Sequence, residues 1–207
     1  MRRLLALVVG AALALVSACA SIPTSGPVEE VPLSAQPRGI DLAPEPPAEG
    51  VTPNRLVEGF LQAMAFLNAG RAFIGAQALG LAEFAVDATV EHVNSRTAFG
   101  RPLSKFQAVS FPLAQSKAEI EAMRWLVYHL AWSVDEGNSP MLDASIVKYY
   151  ATEKAYEVAD RALQAFGGMG LLKEGPIERV LMHLRMLRVV EGASGIQQLV
   201  ITRTMGM

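Results

Sequence analysis

The sequence predicts an all-α fold: an up-down bundle of four to five helices, preceded by a signal helix and a disordered proline-rich tether. Three observations lead there. Apolar residues recur at helical spacing from about Phe66 to the C-terminus, and no useful length alternates with period two. Eight of the twelve prolines fall between Pro23 and Pro53, where no hydrophobic period survives. At the start, Arg2-Arg3 precede 13 apolar residues, Leu4 to Val16, too few for a stable membrane span of about 20 residues.

The bulk numbers fit one good-sized domain plus extras. The chain has 207 residues, 51% hydrophobic and 18% charged, with a formal charge of −2. That balance argues against nucleic acid as a partner, which would need a basic patch or stripe. Residues 1–65 hold 4 of the 18 Lys and Arg and 6 of the 20 Asp and Glu, so the salted surface belongs to the later part. Cys19 is the single cysteine, which excludes an intrachain disulfide. His92, His129 and His183 have no cysteine or second histidine at ligand spacing, so metal binding has no support and they are expected at the surface or in packing.

The elements follow in order. Residues 1–19 make the export signal, whose end, Val16-Ser17-Ala18-Cys19, resembles a lipobox with Cys19 as the lipidated residue. Residues 20–65, including Pro44-Glu45-Pro46-Pro47, cannot bury enough apolar surface to offset ordering, and form the tether. Residues 66–207 form the bundle. Phe66 to His92 is rich in Ala, Leu and Gly and predicts a long buried helix, and Arg96 to Pro102 a turn. Ser104 is placed to cap a second helix reaching Val134, with Ile120, Met123, Val127 and Leu130 on one face and a bend at Pro112. Ser139-Pro140 signals a third helix, with a capping hydroxyl and Pro at its first position. It runs to Phe166 and is stopped by Gly167-Gly168. Pro176 to Val190 and Ser194 to Thr204 make the fourth and fifth helices.

Four places carry chemistry. Val190-Glu191-Gly192 puts a lone carboxylate at the close of an apolar helix, where the dipole's negative end and an apolar wall disfavour its ionisation, as a general base requires. An exposed Glu at an ordinary helix end is the alternative. Arg96, Phe99 and Gln107 surround one turn, suited to phosphate oxygens and a planar ligand, or to a surface Arg and a Phe plugging the bundle end. Gln164-Ala165-Phe166-Gly167-Gly168-Met169-Gly170 has three glycines, where ordinary capping explains one. Arg71, in Asn68-Ala69-Gly70-Arg71, is a solvated group or a ligand's partner.

Two resemblances add to this. Cys19-Ala20-Ser21-Ile22-Pro23-Thr24-Ser25-Gly26-Pro27, with Val57-Glu58-Gly59-Phe60-Leu61, resembles the start of the LpqB lipoproteins of high-GC Gram-positive bacteria, surface lipoproteins associated with a membrane sensor kinase. Roughly the first 65 residues carry that likeness. From residue 66, the order Asn68-x-x-Arg71, Arg96-x-x-Phe99-Gly100, Gln107, Gln164-x-Phe166-Gly167-Gly168-x-Gly170 and Glu191-Gly192 resembles the C-terminal helical domain of the acyl-CoA dehydrogenases. The resemblance implies a dimer or tetramer core, FAD as cofactor and an acyl-CoA substrate. It makes Arg96, Phe99 and Gln107 contacts to a neighbouring subunit's FAD, joined by Gln164, Gly167 and Gly168. It makes Glu191 the base that takes the α-proton, with Arg71 close by. The family's usual Tyr-Glu-Gly-Thr is Val190-Glu191-Gly192-Ala193 here, a common cofactor-contacting Gln is Gly195, and a common Asp is Asn68. These departures bear on flavin affinity more than on fold.

Acyl-CoA dehydrogenases also use an N-terminal helical domain and a middle β-domain, and here a signal and tether stand in their place. Little or no dehydrogenase activity is therefore expected of this chain alone, together with exposed apolar helix faces. A lipobox directs the chain to the cell membrane, whereas a dehydrogenase domain implies a cytoplasmic origin. The expectation is two pieces joined by a deletion, frameshift or assembly error near Met64 to Asn68. The alternatives are a membrane-anchored lipoprotein with a non-catalytic interaction domain, or an inert fusion.

Overall fold

A computed structural model describes residues 53–138 and 140–207. The signal segment, Cys19 and the proline-rich stretch up to residue 52 lie outside the described residues, as does Ser139. The described residues form five α-helices: α1 (Pro53–Ser95), α2 (Gln107–Asp135), α3 (Met141–Phe166), α4 (Pro176–Leu187) and α5 (Ser194–Thr204). A small hairpin, β1 (Thr97–Ala98) with β2 (Arg101–Pro102), joins α1 to α2, and 3-10 turns follow at Leu103–Lys105 and Gly167–Leu171.

Contacts fix the up-down order. Arg71 meets Ser145, and His92 meets Phe166 21 residues further along both helices, so α1 and α3 run parallel. Arg161 reaches Ser116 while Lys154 reaches Glu119, so α2 runs opposite to α3. Gln77 meets His183 while Gly70 faces Glu191, so α4 descends along α1.

The α1–α3 pair is the spine of the fold, and its seam is made of small residues. Ala78, Ala82 and Ala85 on α1, with Ala151, Ala155, Ala159 and Ala162 on α3, are completely or almost completely buried. Short side chains at helical spacing let the two backbones approach, and Gly75 shows how closely. A Cβ there would lie 2.4 Å from Val147 Cγ1. On α2 the predicted face of Ile120, Met123, Val127 and Leu130 is buried, and α4 adds Ile177, Val180, Leu184 and Leu187. Full burial of each large apolar side chain contributes about 1.5–3 kcal/mol.

Several boundaries differ from the sequence expectation. α1 begins at Pro53, so residues 53–65 are helical and not tether. Proline at a first helical turn loses no hydrogen bond, and only Gly59 weakens the following residues. α2 begins at Gln107, because Ser104 is taken into the 3-10 turn and Phe106 flanks the helix without a side-chain cap. Pro112 lies near the start of α2, and the helix continues through it to Asp135. Pro140 occupies the cap position of α3, its carbonyl accepting from the Ala144 amide at 2.9 Å, and the first helical residue is Met141. α4 stops at Leu187, three residues short of Val190. The end of α3 at Phe166 and both bounds of α5 match the expectation. Exposed apolar side chains are present as expected, notably Trp125, Tyr128 and Trp132 along one face of α2.

Candidate functional site

The loop between α4 and α5 carries Glu191, and its backbone is unusual. Glu191 has φ of 55° and the following Gly192 has 91°. A side chain in the left-handed region costs roughly 1–2 kcal/mol, so the surroundings must impose this conformation. It differs from the helix-end placement read from the sequence: Glu191 lies four residues beyond the last helical residue, Leu187. The side chain instead folds back onto the middle of α1. A Cβ on Gly70 would lie 2.9 Å from Glu191 Oε2 and 3.0 Å from its carboxyl carbon, so the carboxylate rests on a glycine that leaves space for it.

Arg71 is the next residue on α1 and is 2% exposed. Its Nη1 donates to Asn68 Oδ1 at 2.9 Å and to Ser145 Oγ at 3.3 Å. Burial pulls its guanidinium below its usual range, and the Glu191 charge works in the opposite direction. Two buried polar atoms face this space without protein partners, Arg71 Nε and Glu191 Oε2. A buried donor and acceptor left unpaired cost about 1–3 kcal/mol each, which a bound polar group would recover.

Beneath them lies Lys148, fully buried on α3. Its Nζ donates to the Arg188 carbonyl at 3.1 Å. Burial is the main cause that brings the ammonium down to about 8, with Glu153 and Glu191 opposing and Arg71 and Arg188 assisting. Burial works to raise the Glu153 carboxyl, but hydrogen bonds from Arg188 and Ser194 and the charges of Arg188 and Lys148 hold it below its ordinary range.

The second group of predicted residues lies at the C-terminal end of α1. A cavity of about 550 Å³ is lined by Arg96, Gln164, Gly167 and Gly168, together with His92 and Phe166. The His92 and Phe166 rings stack with centroids 4.2 Å apart and planes at 12°. Burial, and then the charge of Arg96, push His92 below its usual range, which keeps it neutral near pH 7. The three glycines have separate reasons. Gly167 has φ of 61° and terminates α3. A Cβ on Gly170 would lie 2.7 Å from the Leu163 carbonyl oxygen, so packing forbids one. Gly168 meets nothing within 4 Å. It is the glycine that neither turn nor packing requires, and it lines the cavity.

Phe99 and Gln107 do not line that cavity. Phe99 is at the hairpin tip with φ of 50°, followed by Gly100 at 79°, the two positive values of a type I′ turn. Its ring is 96% exposed, edge-on to Phe106 at 6.3 Å. Gln107 is exposed at the first position of α2. From Arg71 to Ser95 is 24 residues of continuous helix, about 36 Å at 1.5 Å per residue. The structure therefore gathers the predicted residues into two groups, one around Glu191 and Arg71 and one around Arg96 and Gly168, with Phe99 and Gln107 outside both. Sequence reasoning missed Lys148, Ser145, Gln197 and His92. Lys148 and Ser145 could have been found as polar residues among the alanines of α3, and His92 as one turn before Arg96.

The comparisons with known proteins place the described helices in a family. Residues 57–206 match the family model for the acyl-CoA dehydrogenase C-terminal domain, which reaches back into the Val57–Leu61 segment. The chain is 42% identical over 146 residues to a 3-(aryl)acrylate reductase of Clostridium sporogenes, covering 70% of this chain and 39% of that one. It is 42% identical over 143 residues to a short-chain specific acyl-CoA dehydrogenase of Megasphaera elsdenii, covering 69% and 37%. The solved butyryl-CoA dehydrogenase of Megasphaera elsdenii superposes with a TM-score of 0.71 at 40% identity, over 72% of this chain and 39% of that one. A glutaryl-coenzyme A dehydrogenase solved with glutaryl-CoA gives 0.68 at 32% identity, over 70% and 37%. The chain thus spans under two fifths of the length of these relatives.

Proposed function

The chain belongs to the acyl-CoA dehydrogenase family through its C-terminal domain, and we propose that it contributes the base and part of the flavin site for α,β-dehydrogenation of an acyl-CoA thioester. The observation that carries this reading is two buried polar atoms without partners on neighbouring parts of the fold: Glu191 Oε2, seated against Gly70, and Nε of Arg71, the next residue of α1. Glu191 takes the α-proton of the thioester at Oε2. Arg71, anchored by Asn68 and Ser145, offers a free N–H to a polar atom of the acyl group. Exclusion of water around both strengthens their hold on a bound thioester. The match of Megasphaera elsdenii enzymes described as short-chain specific and butyryl-CoA dehydrogenases favours a short acyl chain as the first to try.

Past the C-terminal end of α1, Arg96, Gln164 and the backbone of Gly167 and Gly168 offer a cation, an amide and open peptide groups around a cavity with a stacked-ring wall. That donor set fits a phosphorylated planar cofactor, and FAD is the proposed one, with Phe99 and Gln107 as further contacts. When bound, FAD supplies the acceptor for the β-hydride. The length of α1 keeps this cavity from serving the flavin opposite its own Glu191. A second copy of the chain, or an N-terminal half held elsewhere, completes each site.

The test uses purified protein with FAD and butyryl-CoA in D2O. Loss of the α-protons is followed by mass spectrometry, and flavin binding by fluorescence quenching. Exchange above buffer that Glu191→Gln abolishes, and quenching that Arg96→Ala weakens, would support the proposal. Exchange equal in wild type and Glu191→Gln, with no flavin uptake, would end it. We also propose that Cys19 carries lipid and holds the domain at the cell membrane. Fatty-acid labelling and membrane fractionation, both lost in Cys19→Ala, are expected, and an unlabelled soluble protein would refute it.

A further inference from the structure

We infer that Gln197, Lys148 and Glu153 are positioning residues that clamp the loop carrying Glu191, an assignment that rests on Glu191 acting as the base. Three observations converge on the loop. The Gln197 amide, fully buried, donates to the Glu191 carbonyl at 3.1 Å and to the Gly192 carbonyl at 2.9 Å. Lys148, also fully buried, donates to the Arg188 carbonyl at 3.1 Å. Glu153 accepts from Arg188 Nε at 2.9 Å and from the Ser194 hydroxyl, and pairs with Arg188 Nη2 at 2.6 Å. The loop is thus held at its entrance, its centre and its exit, from helices α3 and α5.

The chemistry of each contact fits holding better than packing. Two carbonyls converge on the Gln197 nitrogen, so the amide can point in one sense only, since its oxygen would be repelled by both. That sense leaves Gln197 Oε1 buried without a partner, a cost unnecessary for a residue that merely filled space. Gly192 cooperates. A Cβ there would lie 2.7 Å from Gln197 Nε2, so glycine is required for the amide to reach the loop. Glu191 itself is in the left-handed region, a conformation that a free loop would leave. The clamp therefore keeps the carboxylate over Gly70, next to Arg71 in the chain.

The test uses the full chain with Gln197→Met and Lys148→Met, each close in size and lacking the donated hydrogen bonds, and Glu191→Gln as control. Amide hydrogen exchange is read on the peptide spanning residues 188–194, and thioester α-proton exchange is read as saturating rate and half-saturation concentration. The clamp predicts at least tenfold faster amide exchange confined to that peptide. It predicts a saturating rate at least tenfold lower, with half-saturation moved by less than threefold. A general loss of packing would instead speed amide exchange throughout the chain and weaken binding as well. Unchanged amide exchange in both variants would overturn the clamp, and so would an unchanged rate while Glu191→Gln loses it. If wild type shows no α-proton exchange, or Glu191→Gln equals it, the base assignment fails, and the amide measurement alone decides whether the loop is clamped.

Discussion

Lys148→Met should reveal a stability term that runs opposite to ordinary alkaline loss. Lys148 is fully buried, and burial brings its ammonium to about 8 from its ordinary value of 10.5. Below pH 8 both folded and unfolded chains carry the proton, and the folded chain bears the cost of a charge removed from water. Between pH 8 and 10.5 the unfolded chain still binds the proton while the folded chain has released it. Unfolding then takes up a proton, so stability attributable to this group rises with pH and levels off above 10.5. A span of 2.5 units at 1.36 kcal/mol each is about 3 kcal/mol. Other groups titrate in the same range, and the variant removes them from the comparison. Urea unfolding of wild type and Lys148→Met should be measured at half-unit steps from pH 7 to 10.5. The difference, wild type minus variant, should climb by about 3 kcal/mol, most of it above pH 8. A flat difference, or one falling with pH, would refute the reasoning.

Other predictions follow from single contacts. Gly70→Ala places a Cβ 2.9 Å from Glu191 Oε2. Stability should change by less than about 1 kcal/mol, because helix propensity gains about that much, while α-proton exchange should fall at least tenfold. Gly75→Ala should destabilise by about 1–3 kcal/mol through the clash with Val147, and Val147→Ala in the same chain should restore part of it in thermal unfolding. Gly170→Ala should destabilise by a similar amount, about 1–3 kcal/mol, because backbone blocks the new methyl. Gly168→Ala should leave the melting temperature nearly unchanged and weaken flavin quenching.

The fold was legible where one cause dominated. Phe166-Gly167-Gly168 ends α3 because a left-handed glycine stops a helix, and the α2 face was visible because Ile120, Met123, Val127 and Leu130 have few rivals for burial. Boundaries slipped where local cues competed. Ser104 could cap a helix, but the hairpin draws the chain into a 3-10 turn first, with the Leu103 amide donating to the Arg96 carbonyl. Pro53 could end a tether or open a helix, and it opens one. At the candidate sites, motif order singles out Glu191, Arg71, Arg96 and Gly168. The seat on Gly70 and the hold from Gln197 join residues far apart in sequence or linked through backbone carbonyls, and nothing in linear spacing marks them. The helix-terminus account of Glu191 gives way because α4 stops at Leu187, before Val190 is reached.

The unbroken run of α1 has a genetic consequence. Because the Glu191 seat at its middle and Arg96 just past its C-terminal end belong to different catalytic centres on the proposed reading, a lesion at one spares the centre built from the other. With a relative's N-terminal half supplied, chains bearing Glu191→Gln mixed with chains bearing Arg96→Ala should therefore regain turnover that neither possesses alone, since each hybrid pair assembles one centre from two undamaged halves.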